Sequence, residues 1–110
     1  MIKGLHHVCI GVRDLDQATK FCTEVLGFEF ARKIEVKGLK FPLIHLKAGK
    51  LIIELRYVSE SEVDGLRHIS IKVDEVDPAV ARLKEKGIEF IQERPPFFKD
   101  PHGVLIEVNK

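Results

Sequence analysis

Two histidines and two glutamates occupy matching positions in two similar halves of the chain. His7 in HHVCIGV corresponds to His68 in RHISIKV. Glu54 in LIIEL corresponds to Glu107 in VLIEV. A carboxylate in such an apolar run is costly to bury unless its charge is compensated, and a divalent cation is one such compensation. Two imidazoles with two carboxylates suit Ni, Co, Zn, Mn or Fe and leave positions open for substrate, so the pattern predicts a catalytic metal site.

The same four residues have a purely structural alternative. The glutamates would then pair with Arg32, Arg56 or Lys72 across a sheet, and the histidines would cap the starts of strands. Any one of the four residues alone fits this alternative well. Their joint occurrence at matching positions of a repeat favours the metal site.

The other three histidines receive no role in the predicted site. His6 aligns with Arg67 in the other half, and strand alternation places it on the face opposite His7. His45 and His102 have no counterpart in the repeat, and the second of them falls in a DPHG turn. We therefore expect only one histidine of the opening pair to bind metal.

Hydrophobic periodicity places the four candidate ligands on two strand-helix-strand-strand-strand units. The segment HHVCIGV alternates as a strand, a helical apolar spacing follows it, and three more strands come from FEFARKIEV, LKFPLIHL and LIIELRYV. The same order begins again at RHISIKV and is shorter at its end. The prediction is one α+β domain over 1–110, with a βαβββ module at 1–58, a connector at 59–66 and a shortened module at 67–110.

Capping residues delimit both predicted helices. Asp16 and Asp77 are the predicted N-caps, and Pro78 is the predicted first residue of the second helix. Gly27 and Gly87 follow the last apolar residues and predict the helix ends. The two helices thus start and stop at equivalent points of the repeat.

The composition is that of an ordinary globular chain. Of 110 residues, 18 are Lys or Arg and 17 are Asp or Glu, for a net charge of +1. This balance argues against a nucleic acid or a membrane surface as partner. The sequence contains no membrane span or signal-peptide pattern, so the cytoplasm is the expected location. Cys9 and Cys22 lie in apolar patterns and are expected to be reduced, buried thiols.

Two long segments resemble a known family. The opening HHVCIGVRDLDQATKFCTEVLGFEF and the ending DPHGVLIEV are similar to the vicinal oxygen chelate superfamily, which includes glyoxalase I, methylmalonyl-CoA epimerase, extradiol dioxygenases and bleomycin-resistance proteins. The resemblance implies a glyoxalase-like fold, in which the modules form an open, partly closed mixed-sheet barrel around the site. Glyoxalase I of the bacterial type carries ligands in the order His, Glu, His, Glu. The implied ligands are His7, Glu54, His68 and Glu107.

The resemblance also implies an activity. It points to a metal-dependent lyase or isomerase like glyoxalase I (lactoylglutathione lyase), with one divalent ion (Ni, Co, Zn or Mn), a small-molecule substrate and a homodimeric assembly. The alternatives are an enzyme like methylmalonyl-CoA epimerase and a metal-free ligand-binding module like the bleomycin-resistance proteins. Glyoxalases that use glutathione carry an arginine and an asparagine where this chain has Gly11 and Val58. The resemblance therefore does not extend to glutathione recognition.

The predicted metal site has a definite chemical use. A metal with open positions polarises two vicinal oxygens of a substrate and stabilises an enediolate or enolate as it forms. Proton transfer at the adjacent carbon needs a base, and Glu54 and Glu107 are equivalent candidates. Arg56 shares a strand face with Glu54, and Lys72 shares one with His68, so each is a candidate for holding a substrate carboxylate or phosphate. Salt bridges within the sheet are an equal alternative for both cations.

Overall fold

The predicted βαβββ order occurs twice along the chain. The computed structural model describes every residue except Met1, Val63 and His102, so one connector residue and the DPHG histidine lie outside the described residues. The first set comprises β1 (Ile2–Val12), α1 (Leu15–Lys20), a π-helical turn (Phe21–Val25), β2 (Glu29–Ile34), β3 (Leu43–Ala48) and β4 (Leu51–Tyr57). The second set comprises β5 (Gly65–Val73), α2 (Val76–Glu85), β6 (Phe90–Glu93), β7 (Pro96–Lys99) and β8 (Leu105–Asn109).

The chain divides into two compact units. Residues 8–67 form one of them, which we call the central unit. Residues 1–7 and 68–110 form the other, which we call the terminal unit. Strand β1 contributes its first residues to the terminal unit and the remainder to the central unit.

The central unit contains two antiparallel strand pairs, and the first helix packs against its core. Its strands follow the order β2-β3-β4-β1, with β2 and β3, and β3 and β4, paired antiparallel. The buried side chains of Ile44, Leu46 and Leu55 form its core. Leu15 and Ala18 of α1 pack against that core, because helical spacing puts both residues on one face.

The terminal unit contains a pair of parallel strands. Its strands follow the order β1-β5-β8-β7-β6, in which β5 and β8 are parallel while β7 pairs antiparallel with both β8 and β6. Its core consists of Val73, Val80, Phe98 and Val108. Strands and helices in this order, with parallel and antiparallel pairs in one sheet, confirm the predicted α+β class.

The helices end where predicted but begin elsewhere. Gly27 and Gly87 adopt φ of 75° and 92° just after the helical segments, as expected of glycine stops. Asp14, and not Asp16, caps α1: its carboxylate accepts a hydrogen bond of 2.9 Å from the Gln17 backbone N–H. A cap satisfies the N–H two or three residues later, which Asp16 within the first turn does not do.

The predicted start of the second helix is also wrong. Helix α2 begins at Val76, with Glu75 as the N-cap, so Asp77 and Pro78 both lie inside the first turn. Val76 packs against the core of the terminal unit, which draws this residue into the helix. Pro78 is tolerated there because the first N–H groups of a helix have no intrahelical partner. Among the described residues, no helix has the length and apolar character that crossing a membrane requires.

Candidate metal site

Three of the four predicted ligands meet inside the terminal unit. His7 Nε2 lies 3.0 Å from His68 Nε2 and 3.2 Å from Glu107 Oε1. His68 Nε2 lies 3.5 Å from the same carboxylate oxygen. We call these three atoms the donor triangle. Its members come from β1, β5 and β8, so residues far apart in the sequence converge on one point.

Strand register explains the convergence. In the parallel pair of β5 and β8, Ser70 lies opposite Glu107, so His68 and Glu107 project from the same face of the sheet. On the other side of β8, Phe97 lies opposite Glu107. The Phe97 ring meets the His68 ring edge-on, with centroids 5.1 Å apart and planes at 87°. This contact restricts the rotation of the imidazole and keeps its Nε2 close to the other two atoms of the triangle.

The donor triangle fits a divalent metal ion. Two ligand atoms bound about 2.1 Å from one ion lie roughly 3.0 Å apart at right angles and roughly 3.4 Å apart at the tetrahedral angle. The measured separations of 3.0, 3.2 and 3.5 Å match this range. His7 is only 3% exposed and Glu107 only 8%. Ser70 Oγ, which lies beside Glu107 in the strand register, is also buried without a hydrogen-bond partner among the described residues.

The carboxylate of the triangle is held in its ionised form. Burial acts to raise the pKa of Glu107, but the adjacent imidazoles of His68 and His7 outweigh burial and lower this pKa to about 2. Metal binding requires deprotonated ligands, so Glu107 needs to release no proton near neutral pH. The electrostatics of the site therefore agree with its geometry.

His6 contacts the predicted ligand next to it, although strand alternation predicts that it lies outside the site. Its Nδ1 is 2.8 Å from Nδ1 of His7, and the ring centroids are 5.1 Å apart. When His7 binds a metal through Nε2, its proton resides on Nδ1, which then donates to Nδ1 of His6. Such a contact fixes both the tautomer and the ring orientation of a ligand. His6 therefore contacts the site although its position on the opposite strand face suggested otherwise, and the prediction that only His7 of the pair binds metal stays untested.

Loss of this contact should weaken metal binding. We expect His6→Ala to lower the affinity for Co²⁺ by about 10- to 100-fold, which is the usual effect of losing an outer partner of a ligand. His6→Asn should retain most of the affinity, because the amide oxygen of Asn takes the place of Nδ1 as acceptor. Calorimetric titration gives the affinities, and ¹⁵N shifts of the His7 ring report its tautomer. Wild-type affinity in His6→Ala would contradict the role.

The fourth predicted ligand, Glu54, lies in the central unit beside a histidine that received no role from the sequence. His45 Nε2 is 2.7 Å from Glu54 Oε2, and both residues are buried. The sequence does contain a signal for this pairing. A two-residue turn at Gly49 and Lys50 pairs residue 48 with residue 51, and the antiparallel register then pairs residue 45 with residue 54. Gly49 has the positive φ of 66° that suits such a turn.

Cys9 is a packing residue with an unreactive thiol. It is fully buried, and burial first, followed by the nearby carboxylate of Glu54, raises the pKa of Cys9 to about 12. A thiol of this pKa is not a nucleophile at neutral pH. Cys9 and Cys22 are both free, but only Cys9 is buried as predicted, whereas Cys22 is half-buried.

Gly11 and Val58, which stand where glyoxalases that use glutathione carry an arginine and an asparagine, are packed against each other. A Cβ atom added at Gly11 would lie 2.8 Å from Cγ1 of Val58, a distance that requires Val58 to move. Val58 is fully buried, and its backbone N–H donates a 2.9 Å hydrogen bond to the carbonyl of Val12. An arginine at position 11 therefore has no room here.

The two predicted substrate-binding cations differ in their surroundings. Arg56 is half-buried on β4, two residues beyond Glu54. Lys72 is exposed on β5, where it lies opposite Asn109 of β8. Burial alone makes Arg56 the better candidate of the two, because an exposed lysine is solvated wherever it lies.

Comparisons with known proteins agree on one family. The family model described as the Glyoxalase/Bleomycin resistance protein/Dioxygenase superfamily matches residues 4–108. A probable lactoylglutathione lyase of Vibrio parahaemolyticus is 32% identical over 93% of this chain and 86% of that protein. The mitochondrial methylmalonyl-CoA epimerase of Bos taurus is 27% identical, over 96% and 73%. The crystal structure of methylmalonyl-CoA epimerase from Mycobacterium tuberculosis matches with a TM-score of 0.83 at 25% identity, over 97% and 87%.

Proposed function

The chain belongs to the glyoxalase/bleomycin resistance protein/dioxygenase superfamily, and from this membership we propose that it is a metal-dependent lyase or isomerase. The observation that carries the proposal is the buried donor triangle of His7, His68 and Glu107. These residues would hold one divalent ion, either Ni, Co, Zn or Mn. The internal repeat pairs Glu54 with Glu107, and on this ground we include Glu54 as the fourth ligand.

The proposed reaction moves a proton at a carbon next to a carbonyl group. A bound divalent ion supplies Lewis acidity, which stabilises negative charge on two vicinal oxygens of the substrate. A glutamate removes the proton from the carbon and returns it to the neighbouring carbon or to the opposite face. Glu107 Oε1 is committed to the two imidazoles of the triangle. We therefore assign the proton transfer to Glu54, whose hydrogen bond with His45 orients its carboxylate.

Two substrates remain candidates for this chemistry. One is the adduct of a thiol with a small dicarbonyl compound, as for a lactoylglutathione lyase, and the other is the thioester of a methylmalonyl-CoA epimerase. The close packing of Gly11 and Val58 favours the epimerase, or a lyase that uses a thiol other than glutathione. A metal-free binding module is disfavoured, because burying a carboxylate between two imidazoles costs free energy that such a module would not recover by binding a metal.

One experiment tests the class and the substrate together. Purified protein is loaded in turn with Ni²⁺, Co²⁺, Mn²⁺ and Zn²⁺ and offered methylglyoxal with several thiols, and separately (R)- and (S)-methylmalonyl-CoA. We expect turnover in one series, with deuterium from D₂O incorporated at the carbon beside the carbonyl. The metal content is measured by elemental analysis beside a variant with Glu54→Gln and Glu107→Gln. If wild type retains no more metal than that variant, the proposed function is wrong.

A further inference from the structure

A small cavity in the central unit opens beside strand β4. Its volume is about 190 Å³. Two cations, two aromatic rings and one acid contribute to its wall: Lys40, Arg56, Phe41, Tyr57 and Glu62. Arg56 and Glu54 alternate onto the same face of β4, roughly 7 Å apart along the strand. The cavity therefore adjoins the strand that carries the proposed base.

The guanidinium of Arg56 has unused hydrogen-bonding capacity. Its Nε is buried and has no hydrogen-bond partner among the residues that the structure describes. Buried donors in folded proteins are almost always paired, so an unpaired one indicates a ligand or an ordered solvent molecule. A guanidinium presents its N–H groups as a planar fork that matches the two oxygens of a carboxylate or a phosphate. An oxyanion would supply such a partner.

The acidic residue in the wall is engaged elsewhere. Glu62 Oε1 accepts a hydrogen bond of 3.1 Å from the Ser59 backbone N–H, and Glu62 Oε2 lies 3.5 Å from Nη1 of Arg67. These contacts hold the carboxylate at Ser59 and Arg67, and its charge also interacts with Arg56. The wall keeps a positive balance because Arg56 and Lys40 together outnumber this one acid.

Lys40 adds a second positive charge over an aromatic wall. Its ammonium lies 5.4 Å from the ring centroid of Phe41 and 5.9 Å from that of Tyr57. The two rings meet edge-on, with centroids 4.8 Å apart. Cation–π contacts of this kind hold an ammonium in place without neutralising its charge. Lys40 therefore stays available to an anion in the cavity.

We propose that this cavity binds the anionic group of the substrate, a carboxylate or a phosphate. A volume of about 190 Å³ is below the usual range for a whole drug-sized ligand, so the cavity suits one charged group and its first linking atoms. The substrate would then be a small carbonyl compound or thioester that carries an acid or phosphate a few bonds from the reacting carbon. The inference rests on the proposed function only for the identity of the ligand.

The test measures anion binding directly on the whole 110-residue chain without metal. Inorganic phosphate and acetate are the two probes. The readouts in ¹⁵N–¹H spectra are the Nε–Hε signal of Arg56 in wild type and the backbone amide signals of the wall residues Lys40 and Tyr57 in every variant. We expect saturable shifts of these signals, with the tighter probe telling a phosphate site from a carboxylate site. Arg56→Gln should weaken binding by about 10- to 100-fold, as expected for a lost charge-assisted hydrogen bond. Arg56→Lys should also weaken it, because lysine lacks the planar fork.

Arg32→Gln is the matched control, because Arg32 is exposed on β2 of the same unit. This variant should bind both probes as wild type does. The anion site is overturned if neither probe shifts the Arg56 signal. It is also overturned if Arg56→Gln binds the probes as tightly as wild type does. Since these measurements need no metal and no turnover, failure of the proposed enzyme activity leaves them unaffected. Ni²⁺ affinity should be the same in Arg56→Gln and wild type.

Discussion

Replacing Glu107 with Gln should weaken the binding of Ni²⁺ or Co²⁺ by more than about 100-fold, which exceeds the usual loss for an outer partner of a ligand. The change keeps the size of the side chain but removes the negative charge from the donor triangle. Only two neutral imidazoles of the triangle would then remain as ligands, and no negative charge in the triangle would compensate the charge of a buried ion. Calorimetric titration and elemental analysis after dialysis give the affinity and the stoichiometry.

His7→Ala should produce a comparable loss, because it removes another corner of the triangle. Glu89→Gln is the matched control: Glu89 is exposed, so this substitution should leave metal binding unchanged. Circular dichroism of each variant separates loss of a ligand from loss of the fold. If Glu107→Gln binds metal within about tenfold of wild type while folded, Glu107 is not a ligand.

The second large effect concerns proton transfer by Glu54. We expect Glu54→Gln to lower kcat by about 100- to 10,000-fold at saturating metal, the range that a positioned general base contributes. An amide accepts no proton from carbon, so exchange of substrate hydrogen with D₂O should slow in parallel. Saturation with metal keeps a weaker affinity from being mistaken for a loss of chemistry. Steady-state rates and deuterium incorporation measured on the same samples test both expectations.

His45→Gln tests the partner of the proposed base. Gln can still donate a hydrogen bond to Glu54, so its effect on kcat should be much smaller than that of Glu54→Gln. The assignment to Glu54 is contradicted if Glu54→Gln keeps kcat within about tenfold of wild type. If metal-saturated Glu107→Gln is then inactive, Glu107 is the base instead.

Much of the fold followed from periodic patterns. Strand alternation and helical spacing located both βαβββ sets, because burial of one face imposes those periods on any soluble sheet and helix. The glycine stops were also predictable, since Gly27 and Gly87 adopt a positive φ that glycine accepts readily. The helix starts at Leu15 and Val76 were missed because several acidic residues near each start compete for the cap, and packing of the first apolar residue selects among them.

Some of the candidate site residues could be predicted from the sequence and others were missed. The repeat pointed to His7, His68 and Glu107, because equivalent positions of two related modules carry equivalent side chains. His45 was overlooked although the turn at Gly49 implies its pairing with Glu54. The metal-ligand roles of His7, His68, Glu107 and Glu54 stay predictions. The homodimer and a substrate role for Lys72 stay predictions as well.

From the sequence alone we could predict the order of strands and helices, the faces on which side chains lie, and the candidate ligands. These properties depend on short-range periodicity and on the internal repeat. Three other features were not contained in the sequence: the contact between His6 and His7, the packing of Val58 against Gly11, and the Nε of Arg56, which lacks a partner among the described residues. Each of these depends on the positions of side-chain atoms to within about an ångström, and rotamers and neighbouring strands set those positions only when the chain is folded.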